Sequence, residues 1–435
     1  MTEYELLCAR AGRQAADRAV SLGYVEFAQD GVQLDLLAPE PSNNLAQTLA
    51  DFTFNGQKTL IEKRNGIAFH FNEFWTARQR QAHSIHEVSY RACFKPQLPE
   101  FFISRLTAPG DRVYDPFMGR GTTPLQAALM GRTPVGNDIN PLSVLLTRPR
   151  LRPPHISEII DRLQRIDWRR TDGNQNVDLL VFYHPETLTE ISSLRSHLAE
   201  RDASGTLDAI DDWIRMVALN RLTGHSPGFF SVYSLPPNQA VSIESQRRIN
   251  EKRNQSPPRR SVPEIILKKS KSLLSDGSFR AVSPAFFTVG PAESTPEIES
   301  RSIQLVVTSP PFLDIVQYAA DNWLRCWFAN IDVSSVHISM HKKTLDWSAF
   351  IARTFNELSR VVKAGGFVAF EVGEVRNGKV CLEDLVVDSI DRNDFEIEGV
   401  MVNVQEFTKT ANCWGVANNN KGTNTNRIVI ARRRG

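Results

Sequence analysis

Two short stretches of the chain carry residue types that could handle a small charged ligand and a polar acceptor. In Asp115-Pro116-Phe117-Met118-Gly119-Arg120-Gly121-Thr122-Thr123, two glycines follow closely on a carboxylate. Glycine lets a backbone approach a ligand where a Cβ would collide, and a helix beginning there would turn its first amides toward that ligand. An ordinary glycine turn of this kind would hold a pyrophosphate. Asp115 would repel phosphate, however, and would accept hydrogen bonds from a cationic amino group. Asp138 comes about 20 residues later, where a carboxylate can grip ribose hydroxyls. The plainer alternative is that both aspartates only cap helices. The second stretch is Thr308-Ser309-Pro310-Pro311-Phe312. Two prolines cannot continue a strand and stiffen the loop that leaves it. Such a loop offers carbonyl oxygens and the Ser309 hydroxyl as acceptors in one place, while Phe312 provides a flat face on which a base could stack.

The elements that must position these residues can be read from apolar patterning. Asp111–Asp115 predicts a strand, Thr122–Met130 a helix and Pro134–Asn137 a second strand ending at Asp138, a βαβ unit with its ligand beyond the carboxyl ends of the strands. Ile303–Val307 predicts the strand that delivers Ser309. It is followed by a helix over Trp347–Val362, a Gly365-Gly366 turn, a strand over Phe367–Val372 and a last strand over Arg427–Arg432. The fold class expected is α/β, with helices on both faces of a Rossmann-like sheet. Residues 1–82 read as an N-terminal extension, with a helix over Leu6–Leu22 and short strands around Gln33–Leu37 and Lys58–Phe71. Helical patterns at Ile156–Ile166, Thr187–Arg201 and Leu207–Leu222 precede a Pro-, Ser- and Arg-rich stretch over Thr223–Pro263, so 151–300 reads as an insertion.

Composition narrows the function classes. At 435 residues and 41% hydrophobic content the chain can bury one large core or two moderate ones, which excludes wholesale disorder. Five scattered cysteines without CxxC spacing argue against a disulfide framework or structural zinc and point to a reducing cytoplasm. His83 and His86 lack a third ligand at metal spacing, so no metal is expected. A charged N-terminus and the lack of any apolar run near 20 residues predict a soluble intracellular protein. Net charge is only +2, so any nucleic-acid surface must be local. One candidate is Ser242–Lys271, where nine basic residues, among them Arg247, Arg248, Lys252, Arg253, Arg259 and Arg260, face three acidic ones. A solvated loop is the competing explanation for such a run. Phe229, Phe230 and Tyr233 lie upstream with His225, Asn238 and Gln239, types that can contact bases. Trp323 and Trp327, at helical spacing with Leu324 and Phe328, read as core. Glu371-Val372-Gly373-Glu374 closes a strand at the ligand-facing end without a definite role.

Taken together, the glycine motif and the SPPF motif resemble the DNA amino-methyltransferases, the family that methylates adenine N6 or cytosine N4. Phe94-Lys95-Pro96-Gln97-Leu98-Pro99 is similar to that family's segment ahead of the glycine motif, and Val361–Phe367 and Thr425–Ile430 to later strands of its catalytic sheet. The resemblance covers roughly 83–150 and 301–435. It implies S-adenosyl-L-methionine as cofactor, held by Lys95, Pro96, Asp115, Pro116, Phe117, Gly119, Gly121, Thr122 and Asp138, and a target amine held by Ser309, Pro310, Pro311 and Phe312. Serine at position 309 is the variant leaning toward cytosine N4, while Phe312 replaces a commoner tyrosine and loses its hydroxyl. The cofactor motif precedes SPPF by about 180 residues. The resemblance then implies that 83–150 is the cofactor half of a methyltransferase domain, 301–435 its catalytic half and 151–300 a target-recognition insertion whose basic stretch meets the phosphates of double-stranded DNA. A cognate restriction or defence system is a partner it allows. The nearest rival is an RNA base-amine methyltransferase, and a more distant one is a nucleic-acid-binding protein with an inactive methyltransferase fold.

Overall fold

A computed structural model describes residues 45–75, 82–90, 93–170, 177–235, 240–277, 279–311, 313, 318–333, 336, 341–375, 380–404 and 425–435. The helix expected over Leu6–Leu22, the strand around Gln33–Leu37, and Phe312, Asn238 and Gln239 lie outside these residues. In chain order the elements are α1 (Leu45–Ala50), β1 (Thr53–Phe54), β2 (Gln57–Lys58), β3 (Leu60–Arg64), β4 (Ile67–Asn72), α2 (Gln97–Leu106), β5 (Arg112–Asp115), α3 (Thr122–Leu129), β6 (Thr133–Asp138) and α4 (Leu142–Thr147). Five helices follow: α5 (Ile156–Arg165), α6 (Pro185–Ala203), α7 (Ala209–Leu219), α8 (Ile243–Arg253) and α9 (Val262–Leu273). The remainder is β7 (Phe286–Val289), β8 (Ile303–Thr308), α10 (Tyr318–Phe328), α11 (Thr344–Val361), β9 (Val362–Val372), β10 (Glu374–Val375), β11 (Val380–Cys381), α12 (Leu382–Ser389), β12 (Phe395–Val404) and β13 (Thr425–Arg433).

Nine of these strands form one mixed sheet in the order β3-β4-β12-β13-β9-β8-β5-β6-β7. The run β7, β6, β5, β8, β9 is parallel, and β13 inserts antiparallel between β9 and β12. This is a Rossmann-like sheet, with the order reversing beside β5. Its central strands are buried on both faces, which is why Leu305-Val306-Val307 reads as an unbroken apolar run. Alternation divides the side chains between two layers. Val306, Val368, Phe370 and Val429 meet α11 and α12. Leu305, Val307, Ala369 and Ile428 meet α1 and α2 on the other side.

Three features differ from the sequence expectations. The glycine pair Gly365-Gly366 is not a turn ahead of a strand. It lies within β9, where the register with β8 shifts between Ile303 and Leu305. Gly365 has φ +76°, and a Cβ on Gly366 would stand 2.9 Å from the Gln304 carbonyl, so both positions need glycine. Second, β3 and β4, from the stretch read as an extension, belong to the main sheet, and so does β7 from the stretch read as an insertion. Third, the Pro- and Arg-rich stretch contains α8 and the start of α9. With α5, α6 and α7 these helices build a separate core around Trp213, Phe182 and Ile214, which also covers α4, residues 85–90 and α10. No helix among the described residues is long and apolar enough to cross a membrane.

Candidate active site

The glycine motif occupies the turn between β5 and α3, and the SPPF motif leaves the end of the adjacent parallel strand β8. Adjacent strands would bring the two motifs together in any case, but side chains also join them. The Thr308 hydroxyl donates to Asp115 Oδ1 at 2.6 Å, and the Thr123 hydroxyl donates to the Val307 carbonyl at 2.9 Å. Asp115 is 1% exposed, and burial pushes its carboxyl up to about 7 despite the Thr308 bond and the Phe117 amide on the same oxygen. Asp138 closes β6, where burial likewise raises its carboxyl above the ordinary range. One of its oxygens accepts the Gly119 amide at 2.8 Å and the other the Asn140 amide at 2.9 Å. Asp138 therefore does serve as a local cap, and it does so on the glycine turn itself. Its charge pushes the Asp115 carboxyl up further, so the turn carries one buried and one half-buried acid whose repulsion a cationic ligand would relieve.

The glycines work differently from the expectation that both clear space for a ligand. Gly121 has φ +77°, and a Cβ there would fall 2.3 Å from Thr147 of α4, so its bareness is required by the protein's own packing. Gly119, at φ +49°, would bring a Cβ only to contact distance, 3.5 Å, from the Tyr90 ring. Tyr90 belongs to the segment ahead of α2, held over the turn by three arginines, Arg150 and Arg325 buried and Arg120 half-buried, that donate to its carbonyls. Arg120 reaches Val88 at 2.9 Å and Phe94 at 3.3 Å, Arg150 reaches Ile85 at 3.2 Å, and Arg325 of α10 reaches Ser89 at 2.9 Å. These arginines were not recognisable beforehand, because their partners are backbone atoms far away in sequence. His86 sits in the same layer, bonded to Gln126 at 3.1 Å, and burial beside Arg150 and Arg120 lowers its imidazole to about 3. His83 accepts the Ile85 amide, so each histidine has a local structural partner.

Of the remaining cofactor candidates, Pro116 is buried and Phe117 half-buried against Phe350, with ring centres 5.8 Å apart. Thr122 is buried and accepts from Arg120 Nε at 3.2 Å, leaving its backbone rather than its hydroxyl for a ligand. Lys95 is exposed and Pro96 is the N-cap of α2.

Among the SPPF residues, Pro310 is buried and Ser309 and Pro311 half-buried, and Trp347 Nε1 fixes the Pro311 carbonyl at 2.9 Å. The Ser309 hydroxyl is hydrogen-bonded to Glu371, at the end of the neighbouring strand β9. Glu371 is 6% exposed, burial raises its carboxyl, and the other donor to it is Asn426 Nδ2 at 3.0 Å. The sequence had placed Glu371 at a ligand-facing strand end. Only the order β13-β9-β8 shows that it meets Ser309.

The basic stretch is largely engaged within the helical layer. Arg259 pairs with Glu186 at 2.9 Å and with Glu190, Arg248 with Glu244 at 2.8 Å, and Arg247 with Asp178 at 3.4 Å. Arg253 lies 3.7 Å over the Tyr233 ring, and the Arg260 amide donates to the Thr187 hydroxyl. The heads of Arg247, Arg248 and Lys252 remain exposed on α8. Phe229 and Phe230 are buried, and Trp323 and Trp327 pack against the helical core.

Comparison with known proteins bears on the glycine turn and the segment ahead of it. Residues 46–146 match the family model for DNA methylases. That segment, with the glycine turn inside it, is similar to the DNA methylase family. It is 39% identical over 82 residues to the Type II methyltransferase M.MjaII of Methanocaldococcus jannaschii, covering 19% of this chain and 15% of that protein. Identity to the Type II methyltransferase M.BsoBI of Geobacillus stearothermophilus is 36% over 69 residues, 15% of this chain and 14% of the relative. The aligned part is thus a small share of either relative. A solved SAM-dependent methyltransferase of Methanosarcina mazei aligns over 77% of this chain and 97% of its own at 11% identity, with a TM-score of 0.30, too low to add to the strand order itself.

Proposed function

We propose that the chain is a site-specific DNA methyltransferase that transfers a methyl group from S-adenosylmethionine to an exocyclic base amine, with cytosine N4 the favoured target over adenine N6. The observation that carries this reading is the junction at the ends of β5, β8 and β9, where Thr308 ties the acid of the glycine turn to the loop presenting Ser309, and Glu371 stands behind Ser309. Two acids with raised carboxyls beside a glycine turn suit a ligand with a cationic sulfur and a cationic amino group. Asp115 and Asp138 would hold that ligand with the Gly119–Thr122 backbone, Pro116 and Phe117 from one side and Lys95 and Pro96 from the other. When bound, S-adenosylmethionine supplies a methyl group on a sulfur that leaves uncharged.

An exocyclic amine is a poor nucleophile because its lone pair is delocalised into the ring. Accepting its protons at Ser309 Oγ and the Pro310 carbonyl draws the nitrogen toward tetrahedral geometry and frees that lone pair. As a new N–C bond forms, one amine proton must leave. Ser309 can take it while passing its own proton to the Glu371 carboxylate, so the chain returns to charge balance when Glu371 releases that proton to solvent. The base must leave the duplex stack to reach this loop, and Phe312 is assigned the lost stacking. Arg247, Arg248 and Lys252 are assigned to DNA phosphates. The relatives' Type II names support a cognate restriction enzyme as partner.

The test is incubation with tritiated S-adenosylmethionine and unmethylated plasmid DNA, followed by nuclease digestion and chromatography of the nucleosides. Label in N4-methylcytosine is expected. Label in N6-methyladenine would correct the base, and label only with RNA would overturn the substrate class.

A further inference from the structure

We propose that Asn426 is a positioning residue for proton removal: its side-chain amide holds Glu371 in the orientation and charge state in which that carboxylate takes the Ser309 proton. The inference rests on the proposed function and gives a role to a residue that the sequence analysis placed only in a strand of the sheet and that lies beyond the family match, which stops at residue 146.

The geometry begins with side-chain parity. On β8, β9 and β13 the residues Ser309, Glu371 and Asn426 share the face of Leu305, Ala369 and Ile428, and all three lie at the site end of the sheet. Ile428 is the direct partner of Glu371 across β9 and β13, so Asn426 sits diagonally from the carboxylate, within reach of its amide. Asn426 donates to Glu371 Oε1 at 3.0 Å. Beyond it, its cross-strand partner Asn403 is buried, and the Asn403 side-chain Oδ1 accepts from the amides of Phe74 at 2.8 Å and Trp75 at 3.3 Å.

A carboxylate so deeply buried is expected to have a cation beside it. Among the described residues none faces Glu371. From β8 it meets Ser309 and from β13 Asn426, Asp115 stands on β5 beyond β8, and Arg427 points to the opposite face, where it pairs with Glu383 of α12. Two neutral donors therefore stabilise the charge, and one of them, Ser309, is itself engaged in the reaction. Asn426 is the donor that stays in place while the proton moves. An amide in that role lowers the proton affinity of Glu371 without neutralising it, so the acid still accepts the Ser309 proton and later releases it. A lysine or arginine there would suppress acceptance.

The experiment uses the full chain with Asn426→Ala and the isosteric Asn426→Asp, which covers the case where one substitution fails to fold. The carboxyl titration of Glu371 is read by infrared difference against Glu371→Gln, and the pH profile of methyl transfer to DNA is read in parallel. Removing one hydrogen bond to a charged group should raise the Glu371 midpoint by about one pH unit. Activity then falls about tenfold on the acidic limb, recovers at higher pH, and leaves cofactor affinity within about twofold. An unchanged Glu371 midpoint in a folded variant overturns the proposal, as does an equal loss of turnover at every pH, which a purely structural role would give. If the wild-type chain methylates no nucleic acid, the functional reading fails instead, while the infrared midpoint still reports whether Asn426 sets the charge of Glu371.

Discussion

Gly121→Ala offers a direct measure of what the glycine turn is for. Two costs can be worked from the structure. A left-handed φ of +77° in an alanine costs roughly 1–2 kcal/mol. The added methyl would also lie 2.3 Å from both Cγ2 and Oγ1 of Thr147 and 2.8 Å from its Cβ, an overlap that no rotamer of Thr147 removes because Cβ itself is too close. Overpacking of this kind costs about 1–3 kcal/mol, giving a total of about 2–5 kcal/mol. Thr147→Gly removes all three clashing atoms, so the double variant should recover the packing part and keep the φ part. The two changes would then show a favourable coupling of about 1–3 kcal/mol. Urea unfolding of the four proteins at constant pH reads this from midpoints at unchanged slope. A Gly121→Ala protein within about 0.5 kcal/mol of wild type, or one that Thr147→Gly fails to rescue, would show that contact with α4 is not what demands glycine here. Gly119→Ala is the internal reference, since its Cβ would only touch Tyr90 and its cost should stay near the φ value alone.

Other expectations follow from the same junction. Ser309→Ala should reduce turnover by about 10²-fold or more while cofactor affinity changes little, whereas Asp138→Ala, which strips acceptors from Gly119 and Asn140, should weaken cofactor binding first. Dialysis binding and single-turnover kinetics separate the two, and equal loss of affinity in both variants would contradict the assignments. Asp115 carries a pH signature. Its carboxyl is raised from 3.8 to about 7, so the stability it contributes is complete below the ordinary carboxylate range and is lost as pH rises through about 7. A cationic ligand that prefers the carboxylate should therefore bind about tenfold more tightly at pH 8 than at pH 6, and Asp115→Asn should flatten that dependence. Replacing Arg247, Arg248 and Lys252 together by glutamine should lower the salt slope of DNA binding by about two to three, while Arg259→Ala, which breaks the pairs to Glu186 and Glu190, should mainly lower the melting temperature. An unchanged slope in the triple variant would remove α8 from the DNA surface.

How much of this was legible in the sequence depends on the distance over which each residue finds its partner. The β5–α3–β6 unit could be read because strand, glycine turn and helix are contiguous, and the expected helix over Thr122–Met130 lies within a residue of the one observed. Strand β8 was equally plain, since a doubly buried parallel strand writes its apolar run into consecutive positions. By contrast Gly365 and Gly366 look like a turn in any local reading, and only pairing with β8 makes them a bulge inside a strand. Helix α8 was hidden because a sequence as polar as Ile243–Arg253 buries only Gln246, so no apolar stripe announces it.

The site shows the same division more sharply. Motifs identify residues that a ligand touches, because those must keep a fixed type at a fixed spacing along one loop. Glu371 reaches Ser309, and Asn426 reaches Glu371, only through the strand order β13-β9-β8, which places residues 309, 371 and 426 side by side while the chain between them runs through three helices and three other strands. Their chemistry is nonetheless constrained by the position. Among the described residues no cation faces Glu371, so neutral donors hold it, and both come from the strands that flank β9. On β8 that donor is Ser309, and on β13 it is the side chain two residues before the cross-strand partner Ile428, which is Asn426. An apolar residue at 426 would leave Glu371 with Ser309 alone and shift it toward the neutral form, in which it could no longer take the Ser309 proton. Asn426→Leu should accordingly lower turnover about tenfold on the acidic limb with the cofactor still bound, and full activity there would refute the link between sheet order and proton removal.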